Sequence, residues 1–335
     1  MKSFWFKQYY LIVSISLAVL LFLICRANIH TFPFPWNDEV RFYLPALWWA
    51  EYFSFYPEYL NAPNGIYWVP DGFTVIIGSF LKIFAKKIEI ARLVCEFSVV
   101  IGFIIYAVSF KKLTQSSYLG GISALLLLSP PVIFAANMVR MEAIIFLIIA
   151  MALYCHSHDR WISAASLLIG GILIHPAISF SAAAYCIVMS FILINNKIIP
   201  KIRFLDGLLV LFVVLAFSLE FIHIASNFNE YKLHMAYQFA RKLGTPLKTR
   251  LFKPQGAILS AFLFITVTFI TYSIKHKITP VLFKFLPVVV IGLGLCLYGV
   301  LGFEMAYNIY SVVTGPAIIF CAFSIALFGS KSNKI

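Results

Sequence analysis

Tyr9-Tyr10-Leu11-Ile12-Val13-Ser14-Ile15-Ser16-Leu17-Ala18-Val19-Leu20-Leu21-Phe22-Leu23-Ile24-Cys25 carries no charge, and a run of this length is enough to cross a bilayer as a helix. Comparable runs recur at Leu93–Phe110, Leu119–Ala136, Met138–Cys155, Trp161–Ile174, Pro176–Ile194, Phe204–His223, Gly256–Ile274, Phe285–Gly302 and Asn308–Phe328. Together they predict an all-α polytopic membrane protein with about ten transmembrane helices, since backbone groups in lipid must be satisfied within each segment. Composition agrees: 62% of the 335 residues are hydrophobic, and mean hydropathy is +0.93. The first run follows Lys2 and Lys7 as a signal peptide would, but no small-x-small cleavage site follows, so an uncleaved anchor is expected.

Charge sets the orientation. Lys111 with Lys112, Arg160, Lys197 with Lys201 and Arg203, Lys275 with Lys277, and Lys331 with Lys334 all fall on one side of these spans. By the positive-inside rule that side is cytoplasmic. A multi-pass integral membrane protein is expected, forming one transmembrane domain over residues 1–335 with two external segments, 26–92 and 225–255. The first is rich in aromatic residues, which favour the headgroup level, so interfacial helices are predicted there. Phe73–Phe84 is too short for a comfortable crossing and is expected to be interfacial or re-entrant. The second carries Lys232, Arg241, Lys242, Lys248, Arg250 and Lys253 against Glu230 alone. A basic loop on the outer side breaks the trend and points to an anionic ligand.

The net charge of +13 is otherwise accounted for by topology and lipid contact, and no nucleic-acid module is present. The six cysteines stand singly at or within spans and are expected to pack as small apolar residues. No metal-ligand spacing surrounds them, and His156-Ser157-His158-Asp159 lacks a partner cluster.

Asn37-Asp38-Glu39 places two carboxylates just beyond the first span. Acids beside hydrocarbon are costly, and those that are kept mark functional sites. On the predicted topology the outer face also collects Asn137, Arg140 and Glu142, then His175-Pro176, then Glu304, Tyr307 and Asn308.

The order of these features resembles the GT-C fold glycosyltransferases, particularly bacterial relatives of protein O-mannosyltransferase and of the lipid A aminoarabinose transferase. The matching pieces are the first span, Asn37-Asp38-Glu39 with Tyr43, the stretch from Phe73 to Phe84, Ala91-Arg92-Leu93, Ser129-Pro130, Arg140-Met141-Glu142, and Gly170-Gly171 with His175-Pro176. They cover roughly residues 1–195. Met141 stands where relatives often have proline, and Trp68-Val69-Pro70-Asp71-Gly72 replaces the usual proline pair.

The resemblance implies inverting transfer of a monosaccharide from a polyprenyl-phosphate carrier to a lipid, glycan or protein acceptor on the outer face. Such a leaving group needs little protonation, because its second pKa is about 6. One base for the acceptor hydroxyl and cations for the phosphate then suffice. A retaining route would want two carboxyls about 5 Å apart flanking the sugar, which adjacent residues do not easily provide. Asp38 is the expected base, with Glu39 orienting the acceptor or holding Arg41 or Arg140; the reverse division of roles fits the same spacing. Asp38 and Glu39 also suit the cap and first turn of a following helix.

Arg140 is the expected phosphate clamp, because guanidinium matches phosphate with two parallel bonds. His175, Lys232, Arg241, Lys242, Lys248 and Arg250 are the other candidates for the lipid phosphate. Trp36, Tyr43, Asn137, Glu142, Glu304 and Tyr307 are candidates for the sugar or acceptor. No cofactor is required, and a divalent cation is optional. The alternatives are a transporter or flippase of a lipid-linked sugar, or a structural subunit of an envelope-assembly complex. A transporter would place polar groups near mid-membrane.

Overall fold

The computed structural model describes residues 2–27, 37–55, 71–243, 279–302 and 314–328, all of it helices and their connections. The helices are α1 (Lys2–Ala27), α2 (Asn37–Tyr52), α3 (Asp71–Ile83), α4 (Ile88–Thr114), α5 (Ser117–Leu125), α6 (Pro130–Ala136) and α7 (Met141–Ser157). They continue as α8 (Trp161–Gly171), a 3-10 turn (Pro176–Ile178), α9 (Ser179–Asn195), α10 (Phe204–Ser226), α11 (Phe228–Leu243), α12 (Thr279–Gly302) and α13 (Gly315–Phe328). Three of the described helical segments, Ile88–Thr114, Pro176–Asn195 and Phe204–Ser226, are long and apolar enough to cross a membrane, and shorter apolar helices accompany them. The expected span Gly256–Ile274 lies outside the described residues.

α4 and α7 form the centre of the bundle and run parallel. Cys95 Sγ lies 3.7 Å from the Arg140 carbonyl, and a turn or two further on Gly102 meets Phe146 so closely that a Cβ would stand 2.8 Å from its ring. α1 runs antiparallel to α4: the Tyr10 hydroxyl donates to the Ala107 carbonyl, and Phe22 packs on Phe97 at 5.4 Å. α8 returns along α7, with Gly171 against Ile148. α12 packs on α9, where Ser181 Oγ donates to the Ile291 carbonyl at 2.8 Å.

The run Leu119–Ala136, expected as one span, is two helices. Ser116 caps α5 by accepting from the Leu119 N–H, and the chain turns before Pro130, which starts α6. Proline lacks a backbone donor and pushes the preceding residue out of helical geometry, so Ser129-Pro130-Pro131 breaks the run. Residues 228–243, expected within a loop, form the amphipathic helix α11.

α2 and α3 lie side by side and parallel. Phe42 meets Phe73 edge-on at 5.8 Å, a Cβ on Gly78 would stand 2.7 Å from the Ala46 carbonyl oxygen, and Lys82 sits 3.4 Å over the Phe53 ring. The start of α3 is bonded to the end of α8 through Gly72 N–H and the Leu173 carbonyl, 3.0 Å. Beyond its far end, the Lys86 carbonyl accepts from Tyr43 and the Lys86 ammonium pairs with Glu51 at 2.9 Å. Both ends of α3 therefore meet the same end of the bundle, and the pair lies across it.

Candidate active site

The covered end of the bundle holds a buried polar layer. Glu39, in the first turn of α2, is fully buried, and Arg92, in the first turns of α4, is 2% exposed. Arg92 Nε donates to Oε1 and Nη2 to Oε2, each at 2.7 Å, which is the two-pronged geometry that guanidinium favours. Glu39 Oε1 also accepts the Val139 N–H at 3.0 Å. One carboxylate thus ties α2 to α4 and to the connection between α6 and α7.

Arg140 follows at once and has extended backbone, φ −142° and ψ 150°, as the N-cap of α7. It therefore stands outside the regular helix, and its side chain is not held to a helical face shared with Asn137. Its side chain folds forward instead and grips Glu142, Nη2 to Oε1 at 2.8 Å and Nε to Oε2 at 3.1 Å, with both side chains buried. The Arg140 guanidinium also stands 5.9 Å from the Phe42 ring centroid, within cation–π range.

His175 is buried beside this pair, its ring edge-on to Tyr298 of α12 at 5.7 Å. Its Nδ1 accepts the Ala177 N–H at 2.9 Å. A neutral ring then carries its proton on Nε2, as a donor. Asn137 is buried, and its Nδ2 donates to the Ile133 carbonyl at 3.0 Å. Tyr43 stands at the margin, donating its hydroxyl to the Lys86 carbonyl; burial, with Glu89 adding to it, raises its phenol pKa above the ordinary value.

So Glu39, Arg140, Glu142, His175 and Asn137 come together at one end of the fold, with Tyr43 at the edge. Lys232 is exposed on α11. Arg241 and Lys242 belong to the backbone of α11, but their side chains lie outside the described residues, as does that of Asp38 within α2. Trp36, Lys248, Arg250, Glu304 and Tyr307 also lie outside them.

Several residues of this end lie outside the candidate set, although Arg92 and Asp71 fall in stretches quoted for the family resemblance. Arg92 was visible as a charge opening a long apolar helix, and such a charge calls for a buried partner. Tyr298 gave no signal. Asp71, Glu220 and His223 form a second polar group: the Asp71 N–H donates to Glu220 at 3.2 Å, and His223 Nδ1 is hydrogen-bonded to the Asp71 carboxylate. Glu96, one turn along α4 from Arg92, is 1% exposed, and neither of its carboxylate oxygens has a hydrogen-bond partner among the described residues.

Below the polar layer an apolar cavity of about 680 Å³ opens among α3, α4, α7, α8 and α10. Phe80, Leu93, Phe97, Leu147, Leu167 and Phe212 line it, and Leu173 and Ile174 lead from it to His175. Its size is that of a small-molecule site, and its walls suit hydrocarbon. Among the described residues no group of three or more His, Cys, Asp or Glu is placed to hold a metal ion.

This architecture is that of an integral membrane protein of the GT-C fold. The solved structure that shows it is ArnT from Cupriavidus metallidurans, bound to undecaprenyl phosphate, which this chain matches with a TM-score of 0.60 at 12% identity. The match covers 97% of this chain and 60% of ArnT, so the chain spans about three fifths of that protein's length. No known family profile and no curated protein matches the sequence.

Proposed function

We propose that the protein is a membrane glycosyltransferase that moves a monosaccharide from a polyprenyl-phosphate carrier to an acceptor at the non-cytoplasmic face. The observation that carries this reading is the junction of an apolar cavity with a buried layer of Arg, His and carboxylate side chains, in a fold shared with a protein that binds undecaprenyl phosphate. The prenyl chain would occupy the cavity. The phosphate would meet His175 Nε2 and the Arg140 guanidinium, with Glu142 holding that guanidinium in place until the lipid arrives. Cationic side chains of α11 and the segment after it would add to the local potential.

Asp38 is the proposed base. It takes the proton of the acceptor hydroxyl as that oxygen attacks the anomeric carbon, and the bond from that carbon to the phosphate oxygen breaks on the opposite side. The products are an inverted glycoside and the polyprenyl phosphate, and the proton rests on the carboxylate. Glu39, already bonded to Arg92 and Val139, is better suited to positioning than to chemistry. The residues present need no metal for this scheme.

Transfer from a synthetic polyprenyl-phosphate sugar tests the reading. Asp38→Asn should reduce kcat by at least about 10²-fold, the range of a lost general base. Arg140→Ala should raise KM for the carrier. Full activity of Asp38→Asn would remove Asp38 from the mechanism.

A further inference from the structure

α10 forms one wall of the apolar cavity, through Leu209, Phe212, Val213 and Ala216. It is nevertheless the least embedded of the described spans: only Asp206 and Val213 are buried, while Leu211, Phe212, Leu215 and Leu219 are exposed. In lipid an apolar helix gains nothing hydrophobic by joining a bundle, so polar bonds and close backbone packing decide whether it stays.

Those holding points can be named. At one end Asp206 accepts from Arg160 at 3.0 Å and from Ser163, both at the start of α8. At mid-height a Cβ on Gly170 of α8 would stand 3.1 Å from Val213 Cγ2, so the two helices touch closely there. At the other end Asp71 of α3 bonds to His223 and, through its N–H, to Glu220, and Phe55 packs on His223 at 5.0 Å. The first two points fasten α10 to α8. The third is its attachment to α3 on the other side of the cavity.

We propose that α10 is a lateral gate through which the polyprenyl chain slides from the membrane into the cavity, hinged on α8 and clasped to α3 by Asp71, Glu220 and His223. The inference rests on the lipid-donor reading above and adds the route. An isoprenoid tail attached to a polar head cannot pass through the polar layer, and on the α3–α10 side the described contacts that join the two walls of the cavity are those of Asp71 with Glu220 and His223. Opening the clasp exposes two carboxylates and an imidazole at the headgroup level, where water can satisfy them. Closing it seals the hydrocarbon wall.

The test is the rate of labelling by a photoreactive polyprenyl phosphate in proteoliposomes. Cysteines placed by Asp71→Cys and His223→Cys are joined by a short thiol-reactive linker carrying its own disulfide, and the linked and reduced forms of the same protein are compared. The unsubstituted protein, treated identically, controls for the native cysteines. Linking should slow labelling at least tenfold and reductant should restore it. A second variant, Asp71→Asn with His223→Leu, should label several-fold faster than the unsubstituted protein. Equal rates for linked and reduced protein, or no acceleration in the second variant, would overturn the gate. Gated labelling without any sugar transfer would overturn the proposed reaction and leave the gate standing; no labelling of the unsubstituted protein would overturn both.

Discussion

Replacing Arg92 by methionine removes a guanidinium that makes two 2.7 Å bonds to a carboxylate with no exposed surface. Glu39 would keep one bond, from the Val139 N–H at 3.0 Å, and would have lost its counter-charge. Breaking one side of a buried pair costs about 3–5 kcal/mol, because the remaining charge is left without compensation. The double variant Glu39→Gln with Arg92→Met removes both charges while the amide oxygen can still accept from Val139. Its stability should return to within about 1–1.5 kcal/mol of the unsubstituted protein, since neutral replacements of buried pairs are tolerated. The cycle therefore predicts a coupling of at least about 2 kcal/mol. Equilibrium unfolding in mixed detergent micelles measures it. If Arg92→Met alone lies within about 1 kcal/mol of the starting protein, the pair is not the anchor argued for here.

Glu96→Leu should raise stability by about 1–3 kcal/mol in the same assay, because it removes two buried acceptor oxygens that lack partners among the described residues; Glu96→Gln should gain less. A loss of stability in the leucine variant would show that the carboxylate is compensated after all. Gly78→Val should cost about 1–3 kcal/mol by forcing α2 from α3, since a Cβ there meets the Ala46 carbonyl oxygen and the Trp49 ring at 2.7 Å. Gly207→Ala, with nothing within 4 Å of the new Cβ, should instead stabilise α10 by about 0.5–1 kcal/mol, and a matching loss at both sites would refute the packing argument.

The fold was legible because hydrophobic runs report their environment directly: α1, α4, α7, α9 and α10 lie where uncharged stretches were seen. The break at Ser129-Pro130 is legible in the family resemblance, which ends a helix there, whereas hydropathy alone draws one span across it. α11 was obscured in another way. Its cations read as the charge of a loop, although Phe228, Tyr231, Leu233 and His234 recur among polar residues at helical spacing.

The polar layer was legible only in part. Glu39, Arg140, Glu142 and His175 stood out as charges or rings at the ends of spans. Their partners did not, because Glu39 meets Arg92 across 53 positions and Val139 across 100, distances that no local pattern encodes. The Arg140–Glu142 grip depends on one extended residue at a helix start, which spacing rules for a continuous helix would forbid. Glu96 leaves little trace in the sequence pattern, because a single acid barely alters the mean hydropathy of α4.

Residue 39 is held by three hydrogen bonds from two separate parts of the chain, and residue 38 precedes it by one peptide, about 3.8 Å between α-carbons. The position at 38 is thus surveyed from the interior of the molecule, independently of the chain that leads up to it. Substitutions in residues 28–36 leave in place the bonds from Arg92 and Val139 that fix residue 39.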